Sequence, residues 1–306
     1  MKEIEVLGLL MIIASFLNAI GLSVIYYRNF RFATLIFDLL PYYPVFCIGG
    51  IAITSLGYIF LGLKMWVFIV LLVILSINGY LLPGFLEWRS FYSLDYYSNF
   101  LKRIQERDDI IVIPFSEWLS HKTPDKEKIT VLIRHDVDIN LDRARRMAKI
   151  EKSNNISSCY LFRNNAERYT IEEAEPIIQE FMKQSFEIGF HYETIANANG
   201  DLNKAQSLFE EELNTMRKIA PINLIAAHGD KFRNRQLIDN NLIDLKRLEV
   251  TSAYFIGFDR YISEAGGNRL FLRDNKYTSI KEELESLFSE TKGTVVEILI
   301  HPDWWF

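Results

Sequence analysis

Hydrophobic positions follow two different rhythms along this chain. Up to residue 86 they run almost unbroken, and charged residues are rare. From Glu87 onward the apolar runs are short and charges recur every few positions. Val6 to Tyr27 holds no charged residue and one amide, Asn18. At about 1.5 Å per residue it is long enough to cross roughly 30 Å of hydrocarbon. Val45–Leu63 and Met65–Leu82 are two further stretches of this kind, parted by Lys64. The pattern predicts three transmembrane helices, about 6–27, 45–63 and 65–82. They form an anchor over 1–86, followed by a soluble domain over 87–306. The first stretch is too long for a signal peptide, begins beside Glu3 and Glu5, and is followed by more spans. Three spans put the soluble domain on the side of Arg28, Arg31, Arg89, Lys102 and Arg103, against Lys2 and Lys64 opposite. The positive-inside rule then expects a cytoplasmic domain on the cell membrane.

Within the soluble half, strand-like and helix-like runs alternate. An amphipathic helix is expected near Leu94–Arg107, a strand at Asp109–Pro114 and a short helix at Ser116–Ser120. Ile129–His135 reads as a strand and leads to a helix from Leu141 to Lys152, capped by Asn140 or Asp142. Ser157–Phe162 is a strand, and Thr170 with Glu173 forms a capping box before the next helix. Phe186–His191 with Leu202–Ile219, Asn223–His228 with 236–248, then Val250–Phe255, Ser279–Ser289 and Thr294–Ile300 complete the series. Alternation of this kind predicts an α/β fold on a mostly parallel sheet.

Four of the five histidines stand at or just past the ends of these short apolar runs. They are His135, His191, His228 and His301. In α/β barrels the chemistry gathers at the carboxyl ends of strands, so the repeat favours a closed or nearly closed barrel over an open sheet. In Arg134-His135-Asp136-Val137-Asp138, alternate residues of an extended chain share a face. Asp136 and Asp138 therefore converge, with Arg134 on the same face below. Two carboxylates allow one to bind a metal and the other to accept a proton from water. His191 and His228 supply imidazoles suited to zinc and similar ions. His301 is placed to act as a general acid. Trp304 offers a face on which a sugar ring can stack.

Other classes lose support. A net charge of −5 argues against nucleic acid as a partner. Cys47 and Cys159 fall in different halves, so no disulfide is expected. Gly-x-Gly-x-x-Gly after a strand, Gly-Lys-Ser/Thr and Gly-x-Ser-x-Gly are all missing from the sequence.

Taken together, Arg134–Asp138, Glu187–Glu193, His228-Gly229 and Leu299-Ile300-His301 resemble the motifs of the polysaccharide deacetylase family, the NodB-homology carbohydrate esterases. The resemblance covers about Ile129 to Trp305 and is closest to the branch whose first motif reads Arg-His-Asp-Val-Asp. It implies a distorted (β/α)7 barrel, one divalent metal, usually zinc, and removal of an N-acyl group from an amino sugar. It implies Asp136 as base and His301 as acid, with Asp138, His191 and His228 holding the metal. Arg134, His135, Glu193, Asp230 and Trp304 are expected on the substrate side. The chain departs from the better-known branch where Val137 separates the aspartates. Ile195 stands where a second histidine is usual, which leaves His228 or Glu193 as the third ligand. The third motif's usual arginine is absent.

The expected activity is thus a membrane-anchored, metal-dependent deacylase acting on a polysaccharide or a lipid-linked glycan. The alternatives are a glycan-binding or assembly protein with a decayed site, and a glycosidase that would need Asp230 or Glu264 as its second carboxylate.

Overall fold

The computed structural model describes residues 90–229, 242–264, 266–267 and 270–306. The predicted spans at 6–27, 45–63 and 65–82 lie outside the described residues. Among the described residues no helix is long and apolar enough to cross a membrane.

Eight parallel strands form the main sheet. They are β1 (Ile110–Val112), β2 (Ile129–Val137), β3 (Cys159–Phe162), β4 (Glu187–Tyr192), β5 (Leu224–Ala227), β6 (Thr251–Ser252), β7 (Arg260–Ser263) and β10 (Val295–Ile300). The order β6-β5-β4-β3-β2-β10-β7 follows the chain around a ring. No ladder joins β6 to β7 among the described residues, so one seam of a seven-stranded barrel is open. β1 pairs with the lower part of the β2 edge whose upper part pairs with β3.

Helices other than α2 pack outside the sheet and run back against the strands. α1 is Leu94–Gln105, α2 Phe115–His121, α3 Leu141–Ser153, α4 Ile171–Lys183, α5 Thr194–Asn197, α6 Leu202–Arg217 and α7 Ile280–Ser286. Their starts obey local chemistry. Asn140, not Asp142, caps α3 by accepting from Arg143 N at 3.1 Å. Thr170 with Glu173 and Ser279 with Glu282 close full capping boxes on α4 and α7. The helix expected over 236–248 falls partly outside the described residues, and 242–250 contains turns but no helix. An unexpected hairpin joins β8 (Phe271–Arg273) to β9 (Lys276–Thr278). Asp274 and Asn275 both take positive φ, which gives the two-residue turn whose twist suits a hairpin.

Strand alternation divides the core in two. Val137, Tyr160, Phe162, Phe190 and Ile225 point outward to pack with Ala144, Ile178, Phe181 and Phe209 of the helices. Leu132, Cys159, Leu161, Leu224, Ala226 and Val295 point inward. There they meet Phe115 and Trp118 of α2. Gly189 faces this crowded interior. A Cβ there would lie 2.7 Å from both Leu161 Cγ and Leu224 O, so the residue below His191 has room for hydrogen only.

Candidate metal centre

The inward face of β2 continues upward from Leu132 through Arg134 and Asp136 to Asp138, which lies just past the strand. Asp303 shapes that end: its Oδ2 accepts from Asp138 N at 3.1 Å and Ile139 N at 3.2 Å. Asp138 Oδ1 then lies 3.2 Å from His191 Nε2 and 3.7 Å from His228 Nε2. One ligand-type atom from each of the three residues lies within 4.8 Å of the others. The structure therefore brings Asp138, His191 and His228 together as the sequence expects.

The chemistry of these donors fits a divalent cation. Ligands at about 2.0–2.2 Å from a tetrahedral zinc stand about 3.2–3.6 Å apart, close to the two distances seen here. Asp138 Oδ1 is buried with no hydrogen-bond partner, an arrangement that is costly unless something positive meets it. Each imidazole is oriented through its other nitrogen. His191 Nδ1 is 3.0 Å from Ala226 O, and His228 Nδ1 is 2.8 Å from Glu193 Oε2. With a cation bound, donation by both Nδ1–H groups would leave both Nε2 lone pairs free to hold it beside Asp138. Two imidazoles and one carboxylate suit zinc, and suit iron(II) and other first-row ions as well. Burial pushes the Asp138 carboxyl up, but His228, His301 and His191 outweigh it and hold it well below the usual range.

Asp136 stands beside this triad. Its Oδ2 is 3.7 Å from His191 Nε2 and 4.0 Å from His301 Nε2. Its Oδ1 is 3.2 Å from Arg134 Nε. Arg134 is fully buried, with Nη1 3.1 Å from Glu297 Oε1 and its guanidinium 4.8 Å from the Tyr254 ring centre. Burial opposes its charge, but Asp136 and Glu297 hold it protonated. Burial raises Glu297 to about 7 despite Arg134.

His301 closes the other side. Its Nδ1 is 3.0 Å from Glu264 Oε1, and the same oxygen accepts from the His301 backbone N–H. Its Nε2 is 3.9 Å from Asp138 Oδ2. Burial favours the neutral ring, but Glu264 and Asp138 outweigh it and raise His301 to about 10. Its Nε2–H is thus available to donate toward the site.

Several expectations about the substrate side change. His135 alternates with Asp136 along β2, so it points outward, fully buried, with Nε2 2.7 Å from Glu151 Oε1. It does not reach the site. Arg134 lies beneath Asp136 and is closed off from solvent. Glu193 Oε2 lies against His228 Nδ1 and accepts from Arg163 Nη2, which places it behind His228. Trp304 remains at the rim, partly exposed, its ring against Gly267, where a Cβ would come within 2.5 Å of Trp304 Cδ2. Trp305 is buried against Tyr92 and Tyr97. Asp230 lies outside the described residues.

Sequence reasoning assigns no role to Arg163, yet it ties two ligands together. Nη1 donates to Asp138 O at 3.1 Å and to Glu167 Oε2 at 2.5 Å, and Nη2 donates to Glu193. Its signal was present, because Arg163 follows the run Cys159–Phe162 as the histidines follow theirs. Glu193→Ala is expected to weaken metal binding by about 10–100-fold, read by competition with a coloured chelator. Unchanged affinity would remove Glu193 from the support of His228.

A scan of protein-family models finds no match to the chain, and a search of curated proteins finds none. Solved structures show distant likenesses. A peptidoglycan deacetylase of Bacillus subtilis is 13% identical, with 59% of this chain and 78% of that one covered, at a TM-score of 0.40. A CE4 esterase of Streptococcus mutans is 11% identical, with 61% and 77% covered, at 0.40. The chitin deacetylase of Colletotrichum lindemuthianum is 14% identical, with 56% and 73% covered, at 0.36.

Proposed function

We propose that this chain is a metal-dependent amide hydrolase that removes an N-acyl group, acetyl or formyl, from an amino sugar. The observation that carries the reading is the meeting of Asp138, His191 and His228, with Asp136 on one side and His301 on the other. A divalent cation held by that triad, with zinc our choice, would supply Lewis acidity toward the amide carbonyl and toward water.

The chain's own residues then divide the proton work. Asp136 Oδ2 faces the site and takes a proton from the attacking water, while Arg134 holds Oδ1. The water oxygen bonds to the acyl carbon and the C–N bond breaks. His301 gives its Nε2 proton to the departing amine, and Glu264 keeps the ring in register for it. The amino-sugar assignment rests on the motif resemblance and on Trp304 at the rim.

The two other readings fit less well. Against a decayed site stands the meeting of Asp138, His191 and His228, with Asp136 and His301 beside them. A glycosidase needs two carboxyl groups about 5–9 Å apart across a sugar ring. Asp136 and Asp138 instead both approach His191 Nε2, at 3.7 and 3.2 Å. Attachment to the membrane through 6–27, 45–63 and 65–82, with the domain on the cytoplasmic face, rests on the sequence pattern.

The test is the metal content of the purified full chain beside His191→Ala. About one equivalent per chain is expected, and close to none in the variant. Absence of metal from both, after zinc, nickel, cobalt and iron(II) are each supplied, sinks the hydrolase reading.

A further inference from the structure

Glu264, which holds His301, is itself held by a closed circuit of contacts. β7 and β10 run side by side with Ser263 opposite Leu299, so Glu264 and His301 leave the sheet as neighbours. Glu264 is fully buried. Its Oε1 lies 3.0 Å from His301 Nδ1 and accepts from the His301 backbone N–H. That grip places the imidazole only as firmly as the backbone of Glu264 is placed. Two turns carry the grip onward. Gly267 N donates to Glu264 O at 3.1 Å, and Trp304 N donates to His301 O at 3.2 Å.

The two turns meet where the Trp304 indole lies on Gly267. A Cβ at 267 would come within 2.5, 2.8 and 2.9 Å of Trp304 Cδ2, Cε2 and Cε3. Cδ2 is bonded to three other ring atoms, so it can be approached this closely only from the flat face of the indole. Position 267 also has φ +77°, a left-handed conformation that suits glycine. The backbone turn and the room for the indole thus make the same demand on one residue. The indole is a firm partner because its own turn is pinned on both sides. Asp303 Oδ2 accepts from Asp138 N and Ile139 N, and Arg143 donates to Asp303 O. The buried Trp305 ring lies 5.6 Å from that of Tyr92 and 5.4 Å from that of Tyr97.

We propose that Trp304 is a positioning residue: by clamping Gly267 it fixes Glu264, and through Glu264 the place from which His301 gives up its proton. The role in proton transfer rests on the hydrolase reading; the clamp itself does not. A shift of about 1 Å in a group of this kind is enough to cost about 100-fold in rate.

The test compares the unmodified full chain, supplied with zinc, with Trp304→Leu, Gly267→Ala and the conservative Trp304→Phe. Two substrates separate proton donation from the rest of the reaction. A soluble N-acetyl amino sugar has an amine that must be protonated to leave, whereas 4-nitrophenyl acetate has an aryl oxide that leaves without a proton. Trp304→Leu and Gly267→Ala are expected to lower kcat on the amide about tenfold or more, with the ester rate held within about threefold and metal content unchanged. Trp304→Phe keeps a flat ring on Gly267 and should recover most of the amide rate. An equal fall on both substrates overturns the clamp. So does a raised KM on the sugar at unchanged kcat, which would make Trp304 a sugar platform alone. A readout free of catalysis is histidine labelling by diethyl pyrocarbonate, followed by peptide mass. Gly267→Ala retains the indole, so faster labelling there does not come from uncovering His301 directly. His301 should label several-fold faster in that variant than in the unmodified chain, with the fully buried His135 unchanged. Equal labelling of His301 overturns the clamp. Faster labelling of His135 shows that Gly267→Ala has opened the domain, and the contrast of Trp304→Leu with Trp304→Phe then decides. Faster labelling of His301 alone, with no cleavage of either substrate by the unmodified chain, leaves the clamp standing and removes the hydrolase reading.

Discussion

Asp136→Asn is expected to lower kcat by about 10²–10⁴-fold while metal content stays at the level of the unmodified chain. The reason is positional. Asp136 Oδ1 meets Arg134 Nε at 3.2 Å, whereas Oδ2 faces the pocket between His191 and His301. Asparagine keeps the shape and loses the ability to take up a proton. Asp138 differs in kind, because its Oδ1 lies nearest both Nε2 atoms. Asp138→Asn should therefore lose metal as well as rate. The two variants are best measured side by side, with kcat on a soluble N-acyl amino sugar and metal content on the same sample. If Asp136→Asn also loses its metal, the two aspartates have exchanged roles. If its rate stays within a few-fold, the proton goes elsewhere.

Glu151→Ala is expected to destabilise the domain over 91–306 by about 3–5 kcal/mol, the usual cost of removing one partner from a buried charged network. Glu151 is completely buried on α3, against the outer face of the sheet. Its Oε1 is 2.7 Å from His135 Nε2 and accepts from Tyr97 Oη at 2.7 Å. Its Oε2 accepts from Ser158 Oγ at 2.6 Å and Tyr160 Oη at 2.7 Å. One carboxylate thus joins α1, α3, β2 and β3 directly behind the strand that presents Asp136 and Asp138. Burial alone would raise its pKa, but His135, Ser158 and Tyr97 outweigh it and hold it below the ordinary glutamate value. Its contribution is therefore fully present above the unfolded glutamate pKa and is lost as pH falls through the lowered folded value. Denaturant unfolding followed by tryptophan fluorescence, at neutral and at acid pH, tests both points. The variant should unfold earlier at neutral pH and show a smaller further loss in acid. A midpoint equal to that of the unmodified chain at neutral pH would exclude this network as a main support of the sheet.

Much of the site was legible along the chain because strand periodicity is local. The alternation of Arg134, Asp136 and Asp138 onto one face follows from the backbone of β2 alone. The same rule turns His135 outward, and its place on the substrate side came from treating the motif as a unit instead of counting faces. The capping boxes at Thr170 and Ser279, and the strand ends at His191, His228 and His301, are likewise set by neighbours within a few residues. Asp274-Asn275 between two short runs was a turn signal of the same local kind.

Partner choice was decided elsewhere. That Glu193 orients His228, that Arg163 spans Glu193 and Asp138, and that Glu264 holds His301 depend on which strands lie side by side and in what register. His191 stands beside Ala226 because β4 pairs with β5, and Arg134 reaches Glu297 because β2 pairs with β10. These contacts join residues far apart in sequence, and no spacing along the chain encodes them. Local hydrophobic rhythm determined which side chains could face the barrel mouth. The order and register of the sheet decided which of them meet, because burial leaves each charged group only the partners that the packing supplies.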